Sequence, residues 1–207
     1  MPAPLAEQIV PSTTAVITME LQRGVVGDLA TMPVIADAVE AAGVIPATAA
    51  VLAAARAAGV TVVHCTFTLQ ADRAGTPLNA PLIQMLVKNP GHLLDGSQAS
   101  ELVPALGPEP GDLVSNRHHG FSPFTGTNLD AVLRAAGATT VVVTGMSLNL
   151  GIPGTVIEAV NLGYRVVVAR DCVAGMPAEY GESIIKNTLS MVATIVTGAQ
   201  IVETWAS

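Results

Sequence analysis

Aromatic residues are nearly missing from this chain: three Phe, two Tyr and one Trp make 3% of 207 residues. Its core must therefore be built from Ala, Val, Leu and Ile, a composition that suits buried parallel strands under Ala-rich helices. Charge is scarce as well, at 12% of residues, with nine Lys and Arg spread through the chain against sixteen Asp and Glu. A net charge of −7 without a basic cluster excludes an electrostatic nucleic-acid surface, so a small molecule or a protein is the expected partner. Long apolar runs are lacking. The stretches 60–63 and 140–143 are far too short to span a bilayer, and the first twenty residues have neither the basic start nor the apolar centre of a secretory signal. No membrane contact and a cytoplasmic location are expected. The two cysteines, Cys65 and Cys172, are far apart and show no C-x-x-C spacing. That argues against a disulfide framework or a zinc knuckle and for reduced thiols.

Short apolar runs rich in β-branched residues recur at 15–19, 60–67, 113–115, 139–144, 165–169 and 193–196. Helical patterns separate most of them, which predicts one α/β domain, a doubly wound parallel sheet of about six strands. Pro46 suits the first turn of a helix through Ala58, closed by Gly59. Further helices are expected over 129–136, 153–162, 179–191 and 200–205, with Val156, Val160 and Gly163 recurring on one face of the helix 153–162 and Ala159 beside them. The segment 69–111 carries Pro77, Pro81, Pro90, Pro104, Pro108 and Pro110. So long a loop-rich stretch reads as a binding loop or a subunit contact, and a homodimer or larger homo-oligomer is expected. In doubly wound sheets ligands bind beyond the carboxyl ends of the strands. That rule directs attention to Glu20, Cys65, Arg117, His118 and Gly151.

Four stretches carry a resemblance. They are Ala15-Val16-Ile17-Thr18-Met19-Glu20-Leu21-Gln22, Phe121-Ser122-Pro123-Phe124-Thr125-Gly126-Thr127-Asn128-Leu129, the run from Thr144 to Gly154, and Gly163-Tyr164-Arg165-Val166-Val167-Val168-Ala169-Arg170-Asp171. Together they resemble the isochorismatase-like, or cysteine hydrolase, family over most of the chain. The resemblance implies strand order 3-2-1-4-5-6, a small-molecule hydrolase activity and a cis peptide between Met146 and Ser147. It puts Glu20 where the family has its catalytic aspartate, and His118, with Arg117 beside it, where the family has its lysine. Gly151 stands where the family has its nucleophilic cysteine.

Glycine has no side chain, so a covalent route through position 151 is closed. The backbone of Leu150, Gly151 and Ile152 at the start of the following helix can still bind an oxyanion or a carboxylate. Isochorismatases proper, which also resemble this chain in having glycine here, use water and a first-strand carboxyl as general acid. Glu20 is the candidate for that role, with His118 as its partner. Arg23 or Arg117 would hold an anionic group, and Cys65 and Phe124 would flank the substrate. Each residue also has a plainer reading. Glu20 can be an ion-pair partner of Arg23, His118 and His119 can be loop histidines, and Cys65 is either a relocated nucleophile beside His64 or a buried, inert thiol. His64 and His92 offer no ligand spacing with His118, so no metal is expected, and Gly145, Gly151 and Gly154 do not make a dinucleotide fingerprint, so no cofactor is expected. Two function classes stay open: a hydrolase without a covalent intermediate, and a catalytically silent relative that binds a metabolite or a protein in the same cleft.

Overall fold

Alternation along the strands sorts the core into two layers. The computed structural model describes residues 3–207, in the order α1 (Leu5–Gln8), β1 (Thr14–Met19), α2 (Arg23–Val26), α3 (Pro33–Ala41), α4 (Val44–Ala57), β2 (Thr61–Phe67), α5 (Pro81–Leu86), β3 (Leu113–Arg117), α6 (Leu129–Ala135), β4 (Thr140–Met146), α7 (Gly151–Asn161), β5 (Arg165–Ala174), α8 (Ala178–Asn187), β6 (Thr194–Val196) and α9 (Gly198–Trp205). The six strands pair in parallel in the order β3-β2-β1-β4-β5-β6. Successive side chains of a strand face opposite sides. Ile17, Val141 and Val143 therefore join Leu129 and Leu133 of α6 and Ile152, Val156 and Ala159 of α7. Val16, Val142 and Val167 point the other way, onto Val39 of α3, Val51 and Leu52 of α4 and Ile201 of α9. Among the described residues no single helix is long and apolar enough to cross a membrane.

Helix bounds differ from the sequence pattern where local geometry overrides it. The helix expected from Pro46 starts two residues earlier, at Val44, behind Gly43 at φ +65°. The expected helix 179–191 breaks at Thr188, whose backbone leaves the α region (φ −124°, ψ −62°). A 3-10 turn over Leu189–Met191 follows and carries Leu189 fully into the core. In α7 the apolar side chains that are buried are Ile152, Val156 and Ala159, at spacings of four and three, so Val160 falls one step round the helix and is exposed.

The excursion 69–111 is tied down at both ends. Phe67, Leu69, Ile83 and Leu93 form a third apolar cluster beyond the end of β2. Gln22, fully buried, donates through Nε2 to the carbonyls of Phe67 (3.0 Å) and Ser100 (3.0 Å) and accepts from the Phe67 N–H (2.9 Å). One amide side chain thus fastens the chain after β1 to both ends of the loop region.

Candidate functional site

The site lies at the carboxyl ends of β1, β3 and β4. The chain after β1 turns sharply: Glu20 sits in the left-handed region at φ +53°, with its N–H donated to the Cys65 carbonyl at 2.9 Å. That conformation costs an L residue about 1–2 kcal/mol, and such outliers gather where function holds them. The carboxylate receives a hydrogen bond from the Arg117 guanidinium through Oε1. Arg117 pairs in register with Phe67 at the last rung of β2 and β3, and its guanidinium lies over the Phe67 ring, 5.2 Å from the centroid. It also reaches the Thr66 carbonyl at 3.4 Å, while its Nε has no partner among the described residues. A permanently charged group this deeply buried needs an anion beside it, and Glu20 supplies it.

Beside this pair is a cavity of about 100 Å³ whose lining is mostly apolar and includes Glu20, Phe67, His92, Met146, Ser147 and Gly151. One ordered water needs roughly 10–15 Å³ on this kind of measure. Gly151 opens α7, and the Met146–Ser147 peptide just before it is cis. Not every amide of this turn is available to a ligand. The N–H groups of Leu150 (3.2 Å) and Ile152 (2.9 Å) both donate to the Ser147 carbonyl, whereas the Gly151 N–H has no partner among the described residues. The Leu150 side chain borders the cavity and that of Ile152 is in the core. A Cβ at position 151 would lie 2.9 Å from the Met146 carbonyl oxygen and 3.3 Å from the Met19 methyl.

Other residues singled out by sequence lie elsewhere. His118, one step past Arg117, faces the opposite way: Nδ1 meets the Thr68 carbonyl (3.1 Å) and Nε2 lies 3.7 Å from Asp95, outside the cavity lining. Arg23 is not a partner of Glu20 either, because its guanidinium is held by Asp28 (2.9 and 2.8 Å) and Glu101 (2.9 Å), stapling α2 to the excursion. Phe124 packs in the core against Tyr164, with ring centroids 6.1 Å apart. Burial pushes both thiols up to about 12, at Cys65 against a downward pull from Arg117, and neither lines the cavity. Among the described residues no cluster of three or more His, Cys, Asp and Glu side chains could hold a metal ion.

His92 is the residue the sequence reading did not place in the site. It comes from the excursion, is 4% exposed, and shares a 2.8 Å hydrogen bond between Nδ1 and the Thr31 hydroxyl. Burial lowers its pKa below the ordinary histidine value, with Glu20 raising it and Arg73 lowering it further. No local motif marks it, because what brings it to Glu20 is the fold of a long loop.

Comparison with known proteins agrees with this architecture. The chain is 32% identical to a ureidoacrylate amidohydrolase, RutB, from Methylobacterium radiotolerans over 182 residues, covering 82% of this chain and 69% of that one. It is 29% identical to a maleamate amidohydrolase from Pseudomonas putida, covering 72% and 68% respectively. The fold superposes on a cysteine hydrolase from Pseudomonas syringae pv. phaseolicola with a TM-score of 0.81 at 23% identity, over 96% of this chain and 95% of the other. With the isochorismatase domain matching residues 14–200, the chain belongs to the isochorismatase family of hydrolases.

Proposed function

We propose that the protein is a small-molecule hydrolase that uses water where a thiol would otherwise attack, with Glu20 as the acid–base group. The observation that carries this reading is the Glu20 carboxylate bordering a cavity that also contains the start of α7, where position 151 has no side chain and both thiols lie outside. Arg117 fixes one carboxylate oxygen. The other takes the proton of a water as that water adds to a carbonyl carbon. The oxyanion so formed is held at the Gly151 N–H and the positive end of α7, and on collapse Glu20 returns the proton to the leaving group. Since relatives of this chain bear the names of amidohydrolases acting on ureidoacrylate and maleamate, a small amide or ureide is the substrate class we carry over. Among the described residues no Lys or Arg lines the cavity. An uncharged reacting portion therefore suits it better than an anionic one placed against Glu20.

A second reading, a metabolite-binding relative without turnover, is favoured by one observation: Arg117 already engages Glu20, so one of the two carboxylate oxygens is committed to a partner within the protein. One experiment separates the two. Against a panel of small amides, ureides and esters, Glu20→Gln should lower turnover about 100- to 10,000-fold with much less change in binding, and alkylation of both thiols should leave turnover unchanged in the folded protein. A ligand bound tightly, never converted, and held equally well by Glu20→Gln would decide for the binding module.

A further inference from the structure

Beyond Glu20 and Gly151, the wall of the cavity decides which compounds enter. Most of it is apolar and comes from separate parts of the chain: Met32 and Ile35 at α3, Leu82 and Leu86 on α5, Leu93 beyond it and Phe121 after β3. Leu93 is buried, whereas the other five keep part of their surface open, so apolar surface runs from the cavity out to its mouth. We infer that the substrate is an electrically neutral amide with a short apolar group beside the reacting carbonyl, and that the site rejects amides carrying a carboxylate; this rests on the hydrolase reading above.

Three observations lead there. The first is the charge of the lining. Among the described residues Glu20 is its one carboxylate, and His92, the other lining group that titrates near neutral pH, is kept neutral chiefly by burial, with Arg73 acting in the same direction and Glu20 opposing. The second is where the arginines are. Arg117 is engaged by Glu20, and Arg23 by Asp28 and Glu101. Arg73 donates through Nη2 to the carbonyls of Asn89 (3.4 Å) and Pro90 (3.2 Å), while its Nη1 has no partner among the described residues. None of the three lines the cavity. The third is the wall itself. A carboxylate placed against it loses its water with no cation in exchange, and it shares the cavity with the negative Glu20. A methyl group in the same place is stabilised by burial. An apolar wall with a few polar groups that fix orientation suits a small neutral ligand; here those groups are Glu20, Thr31, His92 and Ser147. About 100 Å³, against roughly 10–15 Å³ for one water, holds a group of several non-hydrogen atoms. Product release follows as well. Breaking the C–N bond and adding water gives ammonia and a carboxylic acid that ionises, so the wall that admits the amide disfavours its product.

Matched amides that differ only in methyl against carboxylate give the test: cis-but-2-enamide with maleamate, and butanamide with succinamate. Ammonia release by the wild-type protein at pH 7 should give a kcat/KM about 100- to 1,000-fold higher for the neutral member of each pair. Equal values, or a preference for the carboxylates, overturn the inference. A cation added to the wall should move the ratio the other way: Leu86→Arg should raise kcat/KM for maleamate about tenfold. The wild-type ratio in a Leu86→Arg protein with unchanged circular dichroism overturns the charge argument, and the amide pairs decide alone if that variant does not fold. Failure of the hydrolase reading looks different: no member of either pair releases ammonia. Calorimetric titration of the wild type with the same four amides then reads the preference as binding, where a carboxylate bound as tightly as its neutral partner, or no neutral amide bound at all, overturns the inference.

Discussion

Replacing Gly151 by alanine puts a single methyl group at the centre of the site. The added Cβ would sit 2.9 Å from the Met146 carbonyl oxygen, closer than real Cβ atoms approach backbone, and 3.3 Å from the Met19 methyl. Met19 can give by rotating its flexible end, but the Met146 carbonyl is fixed in β4, in a sheet core. Overpacking of this kind costs about 1–3 kcal/mol. Alanine also stiffens the unfolded chain relative to glycine, which gains about 0.4–1 kcal/mol where the backbone is compatible. The clash wins, for a net loss of about 1–2 kcal/mol, or a Tm lower by about 2–8 °C at this chain length. Gly154, three residues along the same helix, is the internal control. A Cβ there would meet nothing closer than 3.9 Å, so Gly154→Ala keeps only the gain and should raise Tm by about 1–4 °C. Thermal unfolding of the two variants followed by circular dichroism gives the comparison. If both shift upward, the crowding at Gly151 is not real. The same crowding bears on chemistry, because Gly151→Cys adds a sulfur to a Cβ that already does not fit. That variant should show no thiol-dependent amidase activity.

Acid should weaken the fold earlier than its carboxylates alone would. His64, fully buried between the Thr18 hydroxyl (2.8 Å) and Asp112 (3.1 Å), has its pKa lowered by burial and by Arg56, against an upward pull from Asp112. The unfolded chain takes up that proton near the usual value of 6.5 and the folded protein only at lower pH, so stability is lost as pH falls below about 6.5. Urea midpoints between pH 7.5 and 5 should drop in the wild type and drop less in His64→Gln; an equal slope in both would remove His64 from the explanation. A second expectation concerns assembly. Leu78 and Met85 stand exposed on an excursion that is otherwise packed on its own small core, so sedimentation at micromolar concentration should give a dimer or larger oligomer, and a clean monomer would refute this.

The sheet was legible in the sequence because β2, β4 and β5 are short β-branched runs that each follow a helix closed by a glycine, and a parallel sheet buried on both faces leaves little ambiguity about where such runs go. Gly137 and Gly163 do end their helices, each at positive φ. The excursion was not legible beyond its prolines. Its α5 is only six residues long, and its core of Phe67, Leu69, Ile83 and Leu93 joins positions too widely spaced for any periodicity to reveal. The two short helices after β1 escaped notice for a similar reason: α2 spans four residues and is fixed less by its own pattern than by Gln22 and the Arg23 ion pairs across to Glu101.

At the end of β3 the difficulty was parity. In a strand, a shift of one residue moves a side chain to the other face, and the sequence Leu113-Val114-Ser115-Asn116-Arg117-His118 gives no alternation from which to choose. Leu113 and Val114 are both apolar and both exposed at the sheet edge, whereas polar Ser115 is the buried one. Ser115 donates to Asn128, which anchors the strand with that face inward. Arg117, two residues on, shares the inward face and meets Glu20; His118 must then turn outward to Thr68 and Asp95. An arginine in that position changes what the carboxylate can do. Lysine would bring a compact charge on a flexible stem, whereas the guanidinium lies flat on Phe67, bonds the Thr66 carbonyl and holds Glu20 at one oxygen. The group fixed in this way has one oxygen engaged by Arg117, and its second oxygen is the one the proposed hydrolysis assigns to a water. On the hydrolase reading proposed above, glycine at 151 and arginine at 117 act together: one leaves room for a small molecule and the other leaves one Glu20 oxygen for the attacking water.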